Sequence, residues 1–207
     1  MTPLSSVDLD AESSAAEAHA RLERAYRPTI FAIAAMVLAI LVGETLYGWS
    51  IGSRFLIRDG LEWIYDALIY CFSALAFGRG ARAERWSALA SAATLAAAGV
   101  ETMGQIAWTF FDPPEVEAFG ISVSGGLTIA EAILVAAALW RFRDARNPVV
   151  TATWLSARND VLSSVLSAVV TMAARFAPMA WPQMAVDAFG GFLCFQAAWT
   201  IVRGRRS

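Results

Sequence analysis

The sequence predicts an all-α membrane protein, a bundle of six transmembrane helices with both termini in the cytoplasm. Its 207 residues are 57% hydrophobic with a mean hydropathy of +0.52, a composition of membrane helices and not of soluble domains. Six apolar stretches stand apart along the chain, each long enough to cross about 30 Å of hydrocarbon at ~1.5 Å per residue. Arginines gather in four clusters that alternate with Arg-poor segments. No strand-like alternation appears, and backbone polar groups in lipid must be satisfied within a helix.

Residues 1–27 are polar and form a cytoplasmic N-terminal segment. Within it, residues 15–26 (AAEAHARLERAY) fit a short helix on the membrane surface or a continuation of the first span. There is no basic n-region or early apolar core, so no signal peptide is expected. Pro28 opens the first span, 29–50, which carries Glu44. The second span covers 55–77, and the third covers 86–111 with Glu101. The fourth covers 119–142 with Glu131, the fifth 149–175 with Arg158 and Asp160, and the sixth 181–202 with Asp187. Residues 28–203 thus make the transmembrane domain, and 204–207 a short cytoplasmic tail with no soluble C-terminal domain expected.

The topology follows from arginine placement. All 16 basic residues are Arg. Arg21, Arg24 and Arg27 precede span one; Arg79, Arg82 and Arg85 follow span two. Arg141, Arg143 and Arg146 follow span four; Arg203, Arg205 and Arg206 follow span six. The loop 112–117 has no basic residue. Positive residues stay inside, so both termini face the cytoplasm of a plasma (inner) membrane. Trp and Phe at the ends of apolar stretches read as aromatic belts.

Several chemistries are excluded. Cys71 and Cys194 form no CxxC and no disulfide framework. No GxxxxGK[ST] occurs, so energy for any transport comes from gradients. No nucleophile–base pair and no HExxH motif is present, so no enzyme activity and no prosthetic group is expected. The Arg clusters read as topology signals and lipid-headgroup contacts, not as a nucleic-acid surface.

What remains is a set of carboxylates at membrane depth. Ionised side chains there are expensive and commonly mark an ion path. Glu62 and Asp66 are four residues apart, so an unbroken helix would place both on one face. Asp160 lies within the fifth span. Glu44, Glu101 and Glu131 are single carboxylates in their spans, open to a relay, a second site or a packed protonated role, and stay outside the candidate site. Asp59 fits either an exit path or a helix-start residue favoured by the dipole.

Three stretches then resemble one family. Residues 57–68, IRDGLEWIYDAL, are similar to the second-helix motif ADGxHSxxD of the cation diffusion facilitators. Residues 111–117, FDPPEVE, are similar to the NPPEVE-like stretch after helix three in its zinc-exporting branch. Residues 154–165, WLSARNDVLSSV, resemble the fifth-helix HxxxD motif with its Ser-rich run. Order and spacing fit over roughly residues 25–205.

The resemblance implies a transmembrane domain that exchanges a divalent cation, often zinc, against protons, as a homodimer in the lipid bilayer. It implies a metal site of Glu62 and Asp66 from helix two with Ser156 and Asp160 from helix five. Here Glu62 and Ser156 each stand where the family has His or Asp, giving three carboxylates and a hydroxyl. An all-oxygen set suits manganese or magnesium and tolerates iron, whereas zinc is commonly held by His or Cys, though carboxylates also serve. Three negative charges in a low-dielectric bundle repel, so metal and protons should compete for these oxygens. The alternative is a non-transporting or regulatory membrane protein on the same fold that has lost full coordination.

Overall fold

The computed structural model describes residues 6–111, 118–145, 147–174 and 181–204. Among the described residues there are seven α-helices, one 3-10 turn and no strand. Helix α1 (Ser6–Ile51) is followed by α2 (Arg54–Glu62), α3 (Ile64–Ala76), α4 (Ala81–Phe111) and α5 (Ala118–Leu139). The 3-10 turn Trp140–Phe142 leads to α6 (Pro148–Ala174) and α7 (Trp181–Arg203). The fold is the expected all-α membrane bundle of six crossings, with α2 and α3 together forming the second. The FDPPEVE motif beyond Phe111, together with Arg146, Arg205 and Arg206, lies outside the described residues.

One boundary settles an alternative the sequence left open, and another departs from expectation. Helix α1 runs unbroken through Pro28, so residues before the proline continue the first crossing instead of lying separately. The second crossing is interrupted at Trp63, which separates α2 from α3. The chain is held at the break and one turn before it. Trp63 donates its indole Nε1–H to Glu44 Oε2 at 2.8 Å. One turn earlier, Gly60 lies so close to α1 that an added Cβ would stand 2.8 Å from the Thr45 backbone nitrogen.

Three helices are long and apolar enough to span a membrane on composition alone: Arg24–Ile51, Ser124–Phe142 and Met184–Arg203. The other three crossings carry the break at Trp63, Glu101, or the Arg158–Asp160 pair. Polar residues at depth are tolerated when they face neighbouring helices, and these do.

The core has two parts. At the Arg-bearing end, Tyr26 is fully buried with its ring 4.4 Å from Phe77 and 5.2 Å from Phe142. Its hydroxyl pairs with Thr153 Oγ1 at 2.8 Å, tying α1 to α6. The second part joins Ile69 of α3 to Ala92 and Leu95 of α4, Leu155 of α6 and Ala197 of α7. Between α4 and α7, Gly191 lies against Gly99 and Met103, a close approach that small residues permit between membrane helices.

The surface matches a bilayer. Trp86, Trp140 and Trp199 are exposed at the Arg-bearing end, and Trp49, Trp108 and Phe111 at the opposite end. Aromatic side chains at both margins of an apolar band are the expected interfacial belts. Segments of the Arg-bearing end also contact one another. Arg141 donates to Thr29 Oγ1 at 2.9 Å, and Asn147 Nδ2 donates to Glu84 Oε2 at 2.9 Å.

Candidate metal site

Helices α3 and α6 cross near the middle of the bundle. Asp66 stands in the first turn of α3, just past the Trp63 break. Ser156 and Asp160 are one turn apart on α6, so both look toward the same neighbour. Ser156 is 1% exposed and its Oγ donates to Asp66 Oδ1 at 3.4 Å, a long bond. Asp160 lies within electrostatic reach of Asp66, and its Oδ2 is buried with no hydrogen-bond partner.

Two further side chains enter this pocket. Glu131 of α5 is 2% exposed, interacts electrostatically with Asp66 and Asp160, and keeps Oε1 buried and unpartnered. Tyr70, one turn beyond Asp66 on α3, is fully buried with its hydroxyl also unpartnered. Buried polar atoms are nearly always satisfied in folded proteins. Three unsatisfied oxygens near Asp66 therefore mark a polar cluster inside the bundle. Among the described residues, no three His, Cys, Asp or Glu side chains stand close enough to hold one ion without moving.

Glu62 has different partners. Its Oε1 accepts from Gln105 Nε2 of α4 at 2.9 Å and from Arg58 Nε at 3.3 Å, and its side chain is 40% exposed. The i, i+4 relation to Asp66 assumed one continuous helix, and the break at Trp63 puts the two carboxylates on separate segments. Glu62 belongs to a second polar layer toward the end opposite the Arg clusters. There Tyr65 donates to Glu101, Gln105 reaches Glu101 at 3.4 Å, and Ser124 donates to Asp59. Glu44 is buried in the same layer under the Trp63 indole.

Neighbouring residues on α6 serve packing. Asn159 Nδ2 donates to the Leu193 carbonyl of α7 at 2.9 Å. Arg158 Nη2 donates to Asn159 Oδ1 and to Gln196 Oε1, each at 3.1 Å. Cys194 of α7 lies within electrostatic reach of Asp160 and Asp66, a placement with no signal in the sequence. Glu131 did carry a signal, an acid in an otherwise apolar span, but its neighbours could not be read from one helix.

Fold and pocket define a multi-span α-helical membrane protein with an acidic interior. The family model described as the Cation efflux transmembrane domain matches residues 30–204. The chain belongs to that family, which makes it a membrane metal-cation transporter. No curated protein matches the chain.

Proposed function

We propose that this protein exports a divalent metal cation in exchange for protons, through the pocket between the second and fifth crossings. The observation that carries this reading is the meeting of Asp66 and Ser156 at 3.4 Å, with Asp160 presenting an unpartnered buried oxygen beside them. Carboxylates bind a metal only when ionised, so an entering cation displaces protons and returning protons displace the cation. If the pocket opens to each face in turn, that competition alone couples the two flows.

Glu62 stays in the proposed ligand set as the carboxylate nearest the outer layer. The oxygen-rich set favours manganese or iron, while zinc is the cation the motif resemblance implies. The Arg-bearing end faces the cytoplasm of a plasma membrane. Residues 28–203 form the transport domain, and two copies pair as a homodimer through membrane helices or the N-terminal segment.

A second reading draws on Arg58. Its guanidinium already contacts the Glu62 carboxylate at 3.3 Å, which offsets a charge the first reading assigns to the cation. On that reading the protein regulates a transporting relative and moves no metal itself.

Metal flux into proteoliposomes under an imposed pH gradient separates the two. The transporter reading expects flux that follows the gradient and is lost in Asp66→Ala and Asp160→Ala. Equal flux in wild type and both variants rejects the site. Absence of flux for zinc, manganese and iron in the wild type supports the regulatory reading.

A further inference from the structure

We infer that Glu131 of the fourth crossing is a cation ligand of this pocket, completing a set drawn from three helices. The inference rests on the proposed reading of the Asp66–Asp160 site and adds to it a residue from α5.

The motif resemblance puts four ligands on the second and fifth crossings, and two of those positions are weakened here. Ser156 supplies a neutral hydroxyl whose hydrogen is already directed to Asp66 Oδ1. Glu62 is held by Arg58 and Gln105 beyond the Trp63 break. That leaves Asp66 and Asp160, too few groups to replace the hydration shell of a divalent ion.

Glu131 supplies what is missing. It is 2% exposed, and Oε1 is buried without a hydrogen-bond partner. Val135, one turn along α5, packs in one cluster with Ala67 and Tyr70 of α3 and Ala157 of α6, and Glu131 interacts electrostatically with both Asp66 and Asp160. A carboxylate placed only to glue helices would be expected to spend both oxygens on donors. Here one oxygen of Glu131 and one of Asp160 remain unspent in the same pocket. An ion between them would satisfy both at once. Drawn inward by an ion, the three carboxylates, with the Ser156 and Tyr70 hydroxyls alongside, would make a hard oxygen set that favours Mn²⁺ over Zn²⁺.

The test measures Mn²⁺ and Zn²⁺ binding to the purified full chain in detergent, by calorimetry and by the Mn²⁺ electron-spin signal. Glu131→Gln keeps shape and volume and is expected to weaken Mn²⁺ at least about tenfold, the scale on which even outer-shell partners act. Glu101→Gln, in the separate polar layer with Tyr65 and Gln105, is expected to leave Mn²⁺ affinity within a factor of about two, well under that scale. Wild-type affinity in Glu131→Gln, with binding lost in Asp66→Asn, overturns the inference and leaves the site standing. Wild-type affinity in Asp66→Asn as well overturns the reading beneath it. Should Glu131→Gln fail to fold, Glu131→His decides: a swing toward Zn²⁺ supports the inference, and an unchanged Mn²⁺-to-Zn²⁺ ratio overturns it.

Discussion

Asp66 and Ser156 lie ninety positions apart in the chain, and the Ser156 hydroxyl points at the Asp66 carboxylate across 3.4 Å. The contact joins the second crossing to the fifth at the level of the pocket. It also fixes what Ser156 does in this structure: it orients one carboxylate oxygen and adds no charge.

Replacing Ser156 with His puts an imidazole beside Asp66 and Asp160. Imidazole is a favoured zinc ligand, so Ser156→His is expected to raise the zinc-to-manganese flux ratio. Competition uptake in proteoliposomes checks this. Unchanged selectivity would show that position 156 lies outside the ligand shell.

Proton competition gives a pH dependence with a definite sign. Metal binding favours the ionised carboxylates, so apparent affinity rises with pH and binding releases protons. A pH dye in weakly buffered detergent solution reads the release directly. Asp160→Asn should release fewer protons per metal bound, and a wild type that releases none would contradict the exchange mechanism.

One side-chain hydrogen bond anchors the residue at the break, Trp63. Trp63→Phe removes the 2.8 Å donor to Glu44, whose other carboxyl oxygen already lacks a partner. Leaving a buried acceptor unsatisfied costs about 1–3 kcal/mol. Thermal unfolding in detergent should show the loss, and an unchanged midpoint would mean that water replaces the indole.

Gly60 has no room for a side chain. A Cβ there would sit 2.6 Å from Thr45 Oγ1 and 2.8 Å from the Thr45 backbone nitrogen. Gly60→Ala is therefore expected to cost about 1–3 kcal/mol by overpacking. Adding Thr45→Ala clears the hydroxyl but not the backbone, so the double variant should recover little in the same unfolding assay. Full recovery would place the strain in the side chain alone.

Tyr26 separates packing from hydrogen bonding. Tyr26→Phe loses the bond to Thr153, but Thr153 keeps the Val149 and Val150 carbonyls as acceptors at 3.2 and 3.0 Å. Its cost should be about 0.5–1.5 kcal/mol. Tyr26→Ala opens the aromatic cluster with Phe77 and Phe142 and should cost about 3–5 kcal/mol. Equal costs for the two variants would show that the hydroxyl, not the ring, holds α1 to α6.

Much of the fold was legible because lipid leaves few choices. A long apolar run must be helical, and the belts of Trp86, Trp140 and Trp199 against Trp49 and Trp108 mark its two margins. The break at Trp63 was not legible. Gly60 in IRDGLEWIYDAL weakens a helix without fixing where it stops, and the contacts that accompany the break come from Glu44 and Thr45 on another crossing.

The sequence by itself determined the helical bundle, the alternation of its charged ends and the presence of acids that need company at depth, because each follows from transfer energies along a single chain. Only the tertiary structure decided which acids keep company. Asp66 and Asp160 are electrostatic neighbours of Glu131, while Glu62 turns to Arg58 and Gln105. Periodicity places residues on the face of one helix. Which faces meet is set by packing between helices far apart in the chain, such as the α3–α6 crossing and the close approach of Gly60 to Thr45.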